Sequence, residues 1–232
     1  MLRFKELYEL WRKDNLFDQA IKESNLMLKN TSEMFEEAVK SLRERDEGEI
    51  SNEVYKMDRE INQYEQEVRL KILKHLAITG GANLIPGLIL TSIIIDVERI
   101  GDYTKNIVDL ALAHPKKLKC GKYDKEVKKI EKECSKLLNN VIAINETSNK
   151  EAAQVLIDET QWIPRKCDEI LDELIREERK VKSAGIAVTT ALYVRYLKRI
   201  TAHLINILTS LVRPFDRIGF LSETDKNNLS EV

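Results

Sequence analysis

The sequence predicts an all-α protein built from two tandem three-helix bundle repeats of long antiparallel helices. Three observations carry this. Apolar residues recur at intervals of three and four along most of the 232 residues. Only four prolines and eight glycines punctuate the chain, too few for a fold of many short strands. Finally, Arg99-Ile100 and Asn106-Ile107 return 100 residues later as Arg199-Ile200 and Asn206-Ile207, and Asp58 returns as Asp158.

The elements follow in order. Leu7, Leu10, Trp11, Leu26, Met34, Ala38 and Leu42 place a first helix between Leu2 and about Arg45, with a weak point near Asp14-Asn15. Glu47-Gly48-Glu49 makes a turn. Ser51-Asn52 caps a second helix that reaches about Ile78. Thr79-Gly80-Gly81 ends it, because glycine accepts the left-handed backbone found at helix C-termini. Pro86 suits the first turn of a third helix, which ends near His114-Pro115. A fourth helix spans about Tyr123 to Asn145. Ser148-Asn149 caps a fifth, ending around Ser183-Gly185, with Pro164 inside it as a kink or break. A sixth runs from about Ile186 to Val212 and stops before Pro214. The expected division is a first repeat with an N-terminal extension over 1–115, a second over 116–213, and a tail over 214–232.

Composition narrows the function. Hydrophobic residues make up 43% and charged residues 33%, which suits packed amphipathic helices and argues against disorder. A net charge of -1 argues against a nucleic-acid binder. The basic run Lys116, Lys119, Lys122, Lys125, Lys128 and Lys129 reads as a solvated loop and helix face. Cys120, Cys134 and Cys167 lack a CxxC spacing and read as reduced thiols, which points to the cytoplasm. The charged start, Met1 to Glu6, is unlike a signal peptide. The most apolar stretch, Leu84 to Val97, is interrupted by Pro86, Thr91, Ser92 and Asp96, so it reads as a buried helix rather than a bilayer span.

The chemistry concentrates between Asp96 and Asp109. Ile93, Ile94, Ile95, Val97, Ile100 and Ile107 make this segment apolar, yet acids stand at 96, 98, 102 and 109. Glu98, Asp102, Asn106 and Asp109 share a helical stripe, and Glu98 and Asp102 are side by side at i, i+4. Adjacent carboxylates repel unless a cation or water compensates them. Such an oxygen-rich pair suits magnesium, manganese, iron or zinc; equally, it suits a solvated face with Arg99 or Lys105 as partner. Asp58 and Asn62 form a second i, i+4 pair that could face the first across antiparallel helices.

The run Asp96-Val97-Glu98-Arg99-Ile100-Gly101-Asp102, followed by Asn106-Ile107, closely resembles the signature of the PhoU family of phosphate-uptake regulators. Asp58-x-x-x-Asn62 is similar to that family's helix-2 motif, and the order of elements matches over roughly residues 18 to 213. The resemblance implies metal binding through Asp58, Asn62, Glu98 and Asp102, with Asp96 and Asn106 as further ligands or supports. It also implies a cytoplasmic, non-enzymatic, negative regulator, often a homodimer. Its partners would be a phosphate transporter ATPase, a sensor kinase or another transport protein, with the membrane reached only through a partner.

The second repeat departs from the pattern. Lys198 and Ala202 stand where the family keeps acids, and Trp162 replaces the second ligand after Asp158. Protonated lysine, alanine and tryptophan offer no oxygen to a hard cation. The second site is therefore expected to be lost, with Lys198 neutralising Asp158 or pointing to water. The alternative function is a helical adaptor or scaffold that has lost metal dependence. A metal-dependent hydrolase lacks a visible general base, and no Walker loop, nucleophile elbow, HExxH or ExxH motif is present. His75 and His114 suit helix C-termini, His203 stands where the first repeat has Tyr103, and Trp11 and Trp162 read as packing anchors.

Overall fold

The computed structural model describes residues 16–46, 53–81, 83–114, 116–177 and 183–220. Those residues form α-helices with no strand among them. Helices α1 (Leu16–Arg43), α2 (Glu53–Thr79) and α3 (Leu84–Ala113) make the first unit. Helices α4 (Asp124–Thr147), α5 (Lys150–Thr160), α6 (Trp162–Ile175) and α7 (Ala184–Val212) make the second. The expected start of the first helix, Trp11, the weak point at Asp14-Asn15, the turn at Glu47-Gly48-Glu49, the Ser51-Asn52 cap and the tail beyond 220 lie outside the described residues.

Local chemistry sets the element ends. Gly80 and Gly81 both take positive φ, 65° and 89°, and close α2 as the sequence predicts. The side chain of Asn149 accepts from the Ala152 N–H at 2.9 Å and caps α5. Ser183 caps α7 by accepting from the Ile186 N–H. The break in the second unit falls at Gln161, three residues before Pro164, which has no N–H to donate to the Thr160 carbonyl. Pro164 thus sits in the first turn of α6, where proline is tolerated.

The duplication is plainest in what is buried. On α3 and α7 the buried pairs 100 residues apart are Leu90/Thr190, Ile93/Tyr193, Ile94/Val194, Val97/Leu197, Ile100/Ile200, Gly101/Thr201, Thr104/Leu204, Ile107/Ile207 and Val108/Leu208. Both units contribute to one continuous hydrophobic cluster. Helices α1 and α2 run antiparallel, with Phe17 against His75 and Glu23 paired to Lys71. Helices α2 and α3 do likewise, with Ile61 against Gly101 and Asp58 against Lys105.

Two seams join the units. Across α3 and α7, Asp96 Oδ1 meets His203 Nδ1 at 2.7 Å and accepts from Asn206 Nδ2 at 3.0 Å. At the matching place Arg199 Nε donates to the Tyr103 hydroxyl at 3.1 Å, and the Tyr103 ring stacks on His203. Across α1 and α4 the Arg43 side chain, 6% exposed, pairs with Asp124 at 2.9 Å and Glu131 at 2.7 Å. It also donates to the Leu118 carbonyl of the connecting segment. The three cysteines are buried and free. Burial pushes the Cys120 thiol up to about 11 and that of Cys134 up to about 12, so neither supplies a thiolate at neutral pH.

Candidate functional site

Helices α2 and α3 place the acidic motif on one outward face. Their antiparallel register sets Tyr55 opposite Asp109, with a hydrogen bond of 3.1 Å, and Asp58 opposite Lys105. The same register puts Asn62 at the level of Asp102, since Ile61 packs on Gly101. A Cβ at position 101 would meet the Ile61 side chain at 3.4 Å, ordinary van der Waals contact. Gly101 and Ile61 thus pack against each other beneath the acids.

Lys105 is the central cation. Its ammonium donates to both oxygens of Asp58, at 3.1 and 3.2 Å, and lies 3.8 Å from Asp102. Burial works against its charge, but the Asp58 bond and the fields of Asp58, Asp102 and Asp109 outweigh that and raise its pKa. Asp58 itself is buried, 9% exposed, so this pairing offsets the cost of enclosing a carboxylate.

Glu98 is less well compensated. Arg99 approaches it only to 3.6 Å and leans also toward Asp102 at 3.9 Å. Burial pushes the Glu98 carboxyl up to about 7, and the neighbouring carboxylates of Asp102 and Glu65 add to the shift. Glu65 is held by Arg69 at 2.7 Å. Neither Glu65 nor Asp109 belongs to the ligand set expected from the motif. Glu65 could have been found from its spacing, seven residues after Asp58 on the same face.

The structure thus brings Asp58, Asn62, Glu98 and Asp102 to one face, and turns Asp96 away from it. Asp96 turns toward the second unit, where His203 and Asn206 hold it. Asn106 is half-buried on α3. Among the described residues no three of His, Cys, Asp and Glu converge as a preformed metal cage. The oxygen donors suit a hard cation, but the ammonium of Lys105 already stands between Asp58 and Asp102.

The second repeat offers no such face. Lys198 donates to both oxygens of Asp168, at 2.5 and 2.6 Å. This corrects the expected pairing with Asp158, which instead accepts from Gln154 at 3.1 Å. Asp168 lies on α6, beyond the break at Gln161, whereas Asp158 lies on α5 before it. Trp162 lies under the Lys129 ammonium, 4.5 Å from the ring centroid.

Residues 25–111 match the family model of the PhoU domain. The structure superposes on PhoU from Pseudomonas aeruginosa with a TM-score of 0.75 at 20% identity, covering 84% of this chain and 95% of that one. PhoU from Streptococcus pneumoniae, described as a phosphate transport system regulatory protein, matches at 0.68 and 17% identity, over 84% of this chain and 91% of that one. No curated protein matches the sequence. The resemblance to the PhoU family is borne out, and so is the all-helical fold. No described helix is long and apolar enough to cross a membrane.

Proposed function

We propose that this protein is a cytoplasmic regulator of phosphate transport that works by binding rather than by turnover, with its control face on the first repeat. One observation supports this above others. Asp58, Asn62, Glu98 and Asp102 gather on an outward face within the segment that matches the PhoU domain. The reading sharpens to a divalent cation, iron, zinc, manganese or magnesium, held by those four residues when the Lys105 ammonium withdraws. A bound cation would supply positive charge that Glu98 lacks, stiffening the α2–α3 pair and changing the surface offered to a transporter ATPase, sensor kinase or other transport protein. A homodimer and a negative direction of regulation belong to the same proposal.

Two measurements test it. Labelled-phosphate uptake should rise in cells lacking the chain and return to normal with the wild-type copy; unchanged uptake would sink the regulator reading. Elemental analysis of protein purified without chelator should find metal that Glu98→Ala/Asp102→Ala removes. A second reading, a metal-independent helical adaptor, is favoured by Lys105, which already neutralises Asp58 and Asp102. Wild-type protein that stays empty after incubation with each of the four metals would select it.

A further inference from the structure

Helix α3 carries a second pattern in line with its acids. Positions 84, 88, 91, 95, 98, 102, 105 and 109 follow one another at alternating intervals of four and three, the spacing of a single helix face. The half nearest the α2–α3 turn is apolar: Leu84, Leu88 and Ile95 are 50%, 39% and 38% exposed, with Thr91 among them. Leu73 of α2, 66% exposed, stands at the same level, because its neighbours Ile72 and Leu76 pack over Gly87. The other half is Glu98, Asp102, Lys105 and Asp109. There five carboxylates, Asp58, Glu65, Glu98, Asp102 and Asp109, face three cations, Arg69, Arg99 and Lys105.

Apolar side chains left in water in a row are unfavourable, and a partner that covered them would relieve that cost. Helix α7 provides the internal comparison. At the matching positions it has Ala184, Val188, Ala191, Arg195, Lys198, Ala202, Ile205 and Thr209. The apolar half has shrunk and the acids are gone, although the buried face is kept. The pairing of leucines with acids is therefore particular to the first repeat and is not demanded by the fold.

We propose that the α3 line from Leu84 to Asp109, with Leu73 beside it, docks an amphipathic helix of a partner protein, apolar over its first turns and basic over the next. This rests on the reading that the protein acts by binding, and it names the chemistry of what is bound. The line is about 37 Å long at 1.5 Å per residue, room for a partner helix of some five to seven turns. Apolar contact supplies affinity in this mode, and the charged half sets direction and register. A second copy of this chain fits poorly. A two-fold pairing that reverses the line sets acids on leucines, and a parallel one sets acids on acids.

The test uses the full chain and a fluorescein-labelled helical peptide of 20 residues with leucine on the first half of one face and lysine and arginine on the second. Fluorescence anisotropy should show binding that Leu84→Gln/Leu88→Gln weakens at least tenfold and that Glu98→Gln/Asp102→Asn weakens similarly while reducing its salt dependence. Val188→Gln/Arg195→Gln on α7, both exposed, should leave it unchanged. All the substituted side chains are at least partly exposed, and unaltered circular dichroism would show that the variants fold. Binding that ignores both α3 variants, or a peptide with glutamate in place of its basic residues binding equally well, would overturn the proposal. So would a dimer that Leu84→Gln/Leu88→Gln converts to monomer, since the face would then belong to a second copy. Peptide binding without any effect on phosphate uptake would leave the docking surface standing and remove only the regulator reading.

Discussion

Helices α3 and α7 keep nine buried positions in common, yet their outward faces have almost nothing left in common. Where α3 sets Glu98 and Asp102, α7 sets Lys198 and Ala202; where α3 shows Leu84 and Ile95, α7 shows Ala184 and Arg195. The buried positions answer to packing, and a change there disturbs every neighbour. The outward positions answer only to water and to whatever binds. Their divergence says that the second repeat has kept the scaffold's requirements and released the others.

The comparison can be pressed hardest in the core. Ile100→Ala and Ile200→Ala each remove a side chain that is fully buried. Each should cost about 2–5 kcal/mol and lower the melting temperature by roughly 5–15 °C in thermal denaturation. Near-equal losses would confirm that the two helices carry equal structural weight. A large inequality would show that one unit carries the other.

The next effect sharpens the difference between the faces. The folded protein holds the Glu98 carboxyl near 7 against an ordinary 4.5, so it binds that proton more tightly than the unfolded chain does. The group's favourable contribution is complete below about 4.5 and is lost as the pH rises to about 7. Glu98→Gln should therefore gain stability at pH 8, by about 1 kcal/mol once solvent screening is allowed for. Its unfolding midpoint should also vary less with pH across that window. A variant less stable than wild type at pH 8 would contradict the geometry. The smallest effect belongs to the second repeat. Lys198→Ala breaks a pair with Asp168 that is half exposed, and should change stability by less than about 1 kcal/mol in urea denaturation.

Much of this was legible beforehand, for physical reasons. The repeat could be read partly because burial constrains residue type, and the buried pairs Ile100/Ile200 and Ile107/Ile207 kept theirs. Glu98 with Asp102, and Asp58 with Asn62, could be placed on faces because helical spacing alone does that. The partner across a gap was harder. Lys105 was one of two cations within reach of the acids, and only the α2–α3 register brings it to Asp58. Asp168 does not stand out in the sequence as the partner of Lys198, because only the packing of α6 against α7 brings the two together. Pro164 marked the break, which falls three residues before it at Gln161 because the proline has no N–H to donate to the Thr160 carbonyl. Asp96 read as part of the acidic motif because sequence gives no sign that α7 lies against it.

Arg43 has a consequence for how the molecule comes apart. Its guanidinium belongs to the first unit, but the carboxylates that neutralise it, Asp124 and Glu131, belong to the second. Losing either unit breaks this pair and exposes the other unit's share of the common hydrophobic core to water. Neither half therefore has a cheap route to melting by itself, and the chain should unfold in a single cooperative transition despite its tandem ancestry. Specialisation could proceed in one half alone, while folding stayed a joint property of both.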